Sequence, residues 1–194
     1  TGQFLRPLLK RLEGDFEEIC VDTKVTGMKE VKDGIELTFD GKSPPKAKKF
    51  EKVLVCVGRR PNSGDLELAK AGVEVDERGF IKVDSGFRTT APRIYAIGDV
   101  IGNPMLAHKA LHEGAVVADS LAGKTAVFEP RAIPAVVFTD PVIAWAGLTE
   151  AEAKQKGVDV TIAKLPWSAS GRAVSLGRTD GVTKLIFEKA TQRL

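Results

Sequence analysis

The chain has 194 residues, 43% hydrophobic and 28% charged, with a net charge of +3. That composition supplies a packed core, and no apolar run approaches the roughly 18 residues that a membrane-spanning helix needs. The lysines between Lys42 and Lys52 gather beside Pro44 and Pro45 as in a solvated loop, and no basic patch carries interleaved aromatics. Binding to nucleic acid or to a membrane is therefore not expected. Cys20 and Cys56 are the only cysteines, with no C-x-x-C or C-x-x-x-x-C. Each lies in an apolar, strand-like run, so both are expected to be buried, reduced thiols in a reducing, cytoplasmic setting.

In chain order, residues 1–12 read as an amphipathic helix (Phe4, Leu5, Leu8, Leu9, Leu12), with Pro7 tolerated near its first turn and Gly14-Asp15 ending it. Phe16 to Val21 reads as a short strand. Thr23 to Val31 and Gly34 to Asp40 alternate apolar and polar residues about Lys32-Asp33-Gly34, which predicts a hairpin. Lys42 to Lys49 reads as a charged loop. Lys52 to Val57 is a continuous β-branched run ending at Gly58, the pattern of a parallel strand buried on both faces. A glycine at such a place lets a ligand approach the backbone closely.

Leu66 to Ala71 predicts a short helix, and Val73 to Asp84 two short strands about Glu77-Arg78-Gly79. Ile94 to Ile97 predicts a buried strand that stops on Gly98-Asp99, followed by a loop with Gly102 and Pro104 and a helix starting near Met105. Ligands in open α/β sheets lie at the carboxyl ends of strands. An Asp placed there can accept hydrogen bonds from a polyol, and the free N–H groups of the next helix can hold an anion or a carbonyl oxygen. The helix continues from Ala107 to Leu121 and stops at Gly123. Ala107, Ala110, Leu111, Ala115, Ala118 and Leu121 give it a small-residue face suited to close packing. His108 and His112 stand four apart, but no third ligand accompanies them, so no metal site is expected.

Beyond Arg131, strands are predicted at Ala135 to Thr139 and Val142 to Leu148, and a helix from a capping box at Thr149 and Glu152 to Gly157. Two further strands, Val158 to Leu165 and Gly181 to Glu188, flank a loop from Pro166 to Ala173. Trp145 and Trp167 read as core or interface anchors.

The wording of several stretches goes further than these patterns. T-x-x-x-x-Y-A-I-G-D at Thr90 to Asp99, with M-L-A-H-K-A from Met105, resembles the second flavin-contacting segment of the FAD- and NAD(P)-dependent disulfide oxidoreductases. Gly58-Arg-Arg-Pro-Asn62 resembles the V-G-R-x-P-N that closes their NAD domain, and Val73 to Asp84 resembles their G-V-x-x-D-x-R-G-x-I-x-V-D. Phe138 to Glu150 resembles the start of their dimerisation domain, although Val142 stands where relatives usually carry Glu. The P-W-S-A-S-G-R-A stretch from Pro166 points within the family to its dihydrolipoyl dehydrogenase branch.

The resemblance implies an α/β plus α+β architecture. Residues 1–62 would be the C-terminal part of a Rossmann-like NAD domain, 63–127 the second segment of the FAD domain, and 128–194 the start of the dimerisation domain. It implies FAD binding at Asp99, through the ribityl chain, and at the backbone of Met105, Leu106, Ala107 and His108, with NAD at Gly58. It also implies a homodimer and, as partner, the lipoyl domain of a 2-oxo acid dehydrogenase complex. Four parts of the family machinery are missing: both dinucleotide-binding glycine turns, the C-x-x-x-x-C disulfide and the H-P-T-x-x-E that supplies the base. Both ends read as cut, so an internal piece of a longer enzyme is expected, with no catalytic residue of its own. The alternatives are another reductase of the same superfamily, of the mercuric or glutathione kind, or a cofactor-free interaction module.

Overall fold

The computed structural model describes residues 2–42 and 47–194, so part of the expected Lys42 to Lys49 loop lies outside the described residues. The chain divides into two compact units. The first comprises Thr1–Val57, Val137–Ile143 and Leu148–Leu194; the second comprises Gly58–Val136 and Ala144–Gly147.

In the first unit, helix α1 (Gly2–Asp15) carries Pro7 and runs slightly past the expected end. Strands β1 (Thr23–Val31) and β2 (Gly34–Gly41) form the predicted hairpin, with Val31 opposite Gly34 across Lys32-Asp33. The register slips between Val25 and Gly27, opposite Thr38 and Phe39. A Cβ on Gly27 would collide with the Thr38 hydroxyl, which explains the glycine there. Strand β3 (Ala47–Phe50) adds antiparallel to β2. Its first three residues fall in the expected loop; Lys48 and Lys49 hide the strand until β2 supplies its free edge.

Three sequence expectations fail here. Phe16 to Val21 forms no strand. Lys52 to Val57 forms none either, and Leu54 and Val57 are 88% and 93% exposed. A parallel strand exists only through its neighbours, and among the described residues no strand pairs with this run. Cys20 and Cys56 are consequently exposed rather than buried. The Glu18 side chain, hydrogen-bonded to Cys20, raises that thiol's pKa above its usual value.

Strands β4 (Ala135–Val137) and β5 (Ile143–Trp145) form a two-stranded sheet, shorter than predicted. Helix α3 (Glu150–Gln155) starts on the predicted capping box. The Glu152 carboxylate accepts from the Thr149 N–H at 2.8 Å, and the Glu152 N–H donates to the Thr149 hydroxyl. Hydrogen bonds donated to it by the Thr149 N–H and by the Thr149 hydroxyl hold the Glu152 carboxyl below its usual range. Strands β6 (Val160–Pro166) and β7 (Val182–Glu188) pair antiparallel from Val160–Glu188 to Pro166–Val182. The expected loop at Pro166 to Ala173 is folded: a 3-10 turn (Trp167–Ala169) leads into the short helix α4 (Gly171–Ser175). Trp167 explains the difference. Its indole N–H donates to the Thr183 hydroxyl at 2.9 Å, its backbone N–H donates to the Gly181 carbonyl, and a Cβ on Gly181 would run into its ring. Ser170 then caps α4 by accepting from the Ala173 N–H.

The second unit is built mainly from turns and single bridges around Val73, Ile81, Ala91 and Ala96, with Leu68, Val83, Val100 and Ile101 packed against them. The helix expected at Leu66 to Ala71 is one 3-10 turn, Leu68–Ala71. The two strands expected at Val73 to Asp84 reduce to the Val75–Ile81 bridge. Two acids organise the region in the same way. The Asp76 carboxylate accepts from the N–H groups of Arg78 and Phe80, and that of Asp84 from Gly86 and Arg88. In each turn the third residue after the acid has positive φ, 86° at Gly79 and 63° at Phe87. Phe87 sustains that conformation while buried, with its ring 5.6 Å from Phe128. Helix α2 (Ala107–Leu121) closes the unit and ends, as expected, at Gly123, whose φ is 79°.

Candidate functional site

The stretch before Asp99 is extended but not a strand: it bridges its neighbours only at Tyr95, opposite Arg88. The Ala96 N–H donates to the Phe87 carbonyl, and Ala96 is buried. Ile97 is extended, and Gly98 then turns sharply at φ 78° into a single 3-10 turn, Gly98–Ile101. No other residue fits as well at Gly98. Positive φ disfavours a side chain, and a Cβ there would stand 3.0 Å from the Cβ of Ala110 on α2. The turn leaves the Asp99 carboxylate half-exposed, with the Arg59 guanidinium 3.6 Å away. The Ile81 N–H donates to the Val100 carbonyl, which fastens the turn to the core.

Met105 and Leu106 are half-buried and lead into α2, where Ala107 and His108 are exposed. Leu106 occupies the N-cap and has no side-chain oxygen with which to satisfy the first-turn N–H groups. Those donors therefore keep free hydrogen-bonding capacity at the helix's positive end. The imidazole Nε2 of His108 lies 2.7 Å from the Pro134 carbonyl oxygen, and His112 packs edge-on to Phe128. Among the described residues no group of three or more His, Cys, Asp or Glu side chains is placed to hold a metal ion.

Gly58 has φ 135°, a conformation only glycine adopts readily, and nothing lies within 4 Å of where its Cβ would be. Asp99, Arg59 and the start of α2 thus belong to one compact unit, with Gly58 next to Arg59 in the chain. The same unit thus carries a half-exposed carboxylate acceptor at Asp99 and a helix start at α2 with no side-chain cap.

Helix α2 departs from the sequence reading. The expected packing face is largely open, with Ala107, Ala115 and Ala118 exposed, Leu111 77% and Leu121 65% exposed. The buried residues are Lys109, Glu113 and Val116. Sequence reasoning passed over Lys109 and Glu113. Their i, i+4 spacing was visible, but charge argued for the solvent side.

Comparison with known proteins shows the family. A family model described as pyridine nucleotide-disulphide oxidoreductase matches residues 9–114, and one for that family's dimerisation domain matches residues 133–194. The chain is 49% identical over 186 residues to a dihydrolipoyl dehydrogenase of Vibrio cholerae, an alignment covering 95% of this chain and 39% of that protein. It is 46% identical over 172 residues to a dihydrolipoyl dehydrogenase of Bacillus subtilis, covering 89% and 37%. Among solved structures it resembles the HOCl-induced flavoprotein disulfide reductase RclA of Escherichia coli, with a TM-score of 0.85 and 28% identity over 98% of this chain and 43% of that one. The chain thus spans about two fifths of the length of such relatives, and it belongs to the pyridine nucleotide-disulphide oxidoreductase family.

Proposed function

We propose that this chain is part of a dihydrolipoyl dehydrogenase, a flavoprotein that reoxidises protein-bound dihydrolipoamide with NAD through FAD and a redox disulfide carried outside this chain. In the net reaction the dithiol becomes a disulfide, NAD becomes NADH and one proton is released. The carrying observation is the Gly98 turn, which presents the Asp99 carboxylate half-exposed and leads on to the uncapped start of α2. FAD, when bound, would relay the two electrons between disulfide and nicotinamide. The residues of this chain bind and orient. Asp99 accepts from a ribityl hydroxyl, and the backbone of Met105, Leu106, Ala107 and His108 faces the flavin. Gly58 leaves room beside the nicotinamide dinucleotide.

In this reading residues 1–62 close the NAD domain, 63–127 form the second FAD-domain segment and 128–194 begin the dimerisation domain. The whole enzyme is then a cytoplasmic homodimer that serves a lipoyl domain. Apolar side chains left in the open support the interface: Phe138 is 87% and Trp167 37% exposed. Greater identity to dihydrolipoyl dehydrogenases than to RclA favours dihydrolipoamide over other disulfide substrates.

The test is the full-length polypeptide. It should purify yellow, with flavin absorbance, sediment as a dimer, and form NADH from dihydrolipoamide. A folded but colourless protein would overturn the reading, and so would a flavoprotein that ignores dihydrolipoamide.

A further inference from the structure

Helix α2 buries charge and exposes its apolar face, and the buried charge has a specific task. Glu113 is 1% exposed and Lys109 6%. One carboxylate oxygen of Glu113 lies 2.7 Å from the Lys109 ammonium. The other accepts the Gly98 N–H, also at 2.7 Å and across fifteen positions of sequence. A buried ion pair of this kind contributes little net stability, since an apolar pair of the same volume folds as well or better. Its value here is geometric. The N–H that it holds belongs to the residue immediately before Asp99, and a Cβ on Gly98 would stand 3.0 Å from that of Ala110 on α2. Helix and turn are thereby held together at a single residue, on the same helix whose first turn offers the N–H donors.

We propose that Glu113 is a positioning residue for the flavin site. It ties the Gly98 turn to α2, and so fixes the Asp99 carboxylate relative to the start of that helix, while Lys109 supplies the counter-charge that lets Glu113 be buried. The inference rests on the flavin-binding role proposed for Asp99.

Two double variants of the full-length holoenzyme separate positioning from stability. Lys109→Met with Glu113→Gln removes both charges but keeps a carbonyl oxygen for the Gly98 N–H. Lys109→Met with Glu113→Leu removes the acceptor as well. Both should melt within a few degrees of the parent, because neither leaves an unpaired buried charge. The leucine variant should bind FAD about tenfold more weakly, equivalent to about 1.4 kcal/mol of lost positioning of Asp99. The glutamine variant should stay within about twofold of the parent. Amide exchange in a peptide containing Gly98 should quicken in the leucine variant alone, with or without FAD. Equal FAD affinity in the two variants would overturn the proposal, as would a loss of affinity that follows melting temperature in both. A parent without flavin would instead overturn the reading beneath it.

Discussion

Two apolar runs of this chain end on a glycine with positive φ, and they have opposite fates. Val53 to Val57, ending at Gly58, is the more strand-like by residue type, yet it is largely exposed. Ile94 to Ile97, ending at Gly98, is shorter and includes an alanine and a tyrosine, yet Ala96 and Gly98 are buried. The difference lies in what stands beside each run. The second has the Arg88 bridge, the Phe87 carbonyl and the flank of α2. The first has no such neighbours among the described residues. Burial is a property of the pair, and a pattern read along one strand reports only half of it.

The largest test of that contrast is Gly98→Val. Positive φ and the approach of Ala110 both oppose a side chain, so the full-length protein should lose about 3 kcal/mol of stability in a denaturant titration. A loss below the scatter of surface substitutions would show that the turn is not held against α2 as described. Asp99→Ala comes next, since one residue further on the strain is absent and only the acceptor is lost. FAD affinity should fall roughly 5- to 150-fold, the range for removing one partner of a hydrogen bond. Unchanged affinity in equilibrium dialysis would remove Asp99 from the site.

Gly58→Val should do less to the fold. Its φ of 135° opposes a side chain, but the surrounding space is empty. Backbone strain of about 1–2 kcal/mol is the expected cost. In the holoenzyme the Michaelis constant for NAD should rise while flavin stays bound. If flavin leaves and NAD kinetics hold, Gly58 has been placed in the wrong site.

The comparison also shows which parts were legible beforehand. The β1–β2 hairpin, the Thr149 capping box and the Gly123 stop were readable because each is decided within a few residues, by alternation, a cap or a turn glycine. The Asp99 stretch was legible as an acid at the end of an extended run. Its grip on α2 was not, because Glu113 lies fifteen positions away from Gly98 and a glutamate on a helix argues for solvent. The Pro166 to Ala173 stretch misled for a related reason. Its small polar residues signal a loop, while Trp167 finds its partners at Gly181 and Thr183 across a strand pair.

The smallest effect is expected at the residue that links the ends of the two runs. Arg59 follows Gly58, and its guanidinium stands 3.6 Å from the Asp99 carboxylate with both side chains half-exposed or more. Water and salt screen such a pair, so its contribution to stability should be below about 1 kcal/mol. Arg59→Gln should leave the melting temperature within a few degrees of the parent. Its FAD affinity should shift by no more than about fivefold, and that shift should shrink further at high ionic strength. A hydroxyl that approaches Asp99 competes with Arg59 for the same carboxylate, so the shift should be toward slightly tighter binding. Flavin titrations of parent and variant at low and high salt decide the sign. A large, salt-insensitive loss would mean that Arg59 touches the cofactor itself, and the two runs would then meet at one ligand rather than at one ion pair.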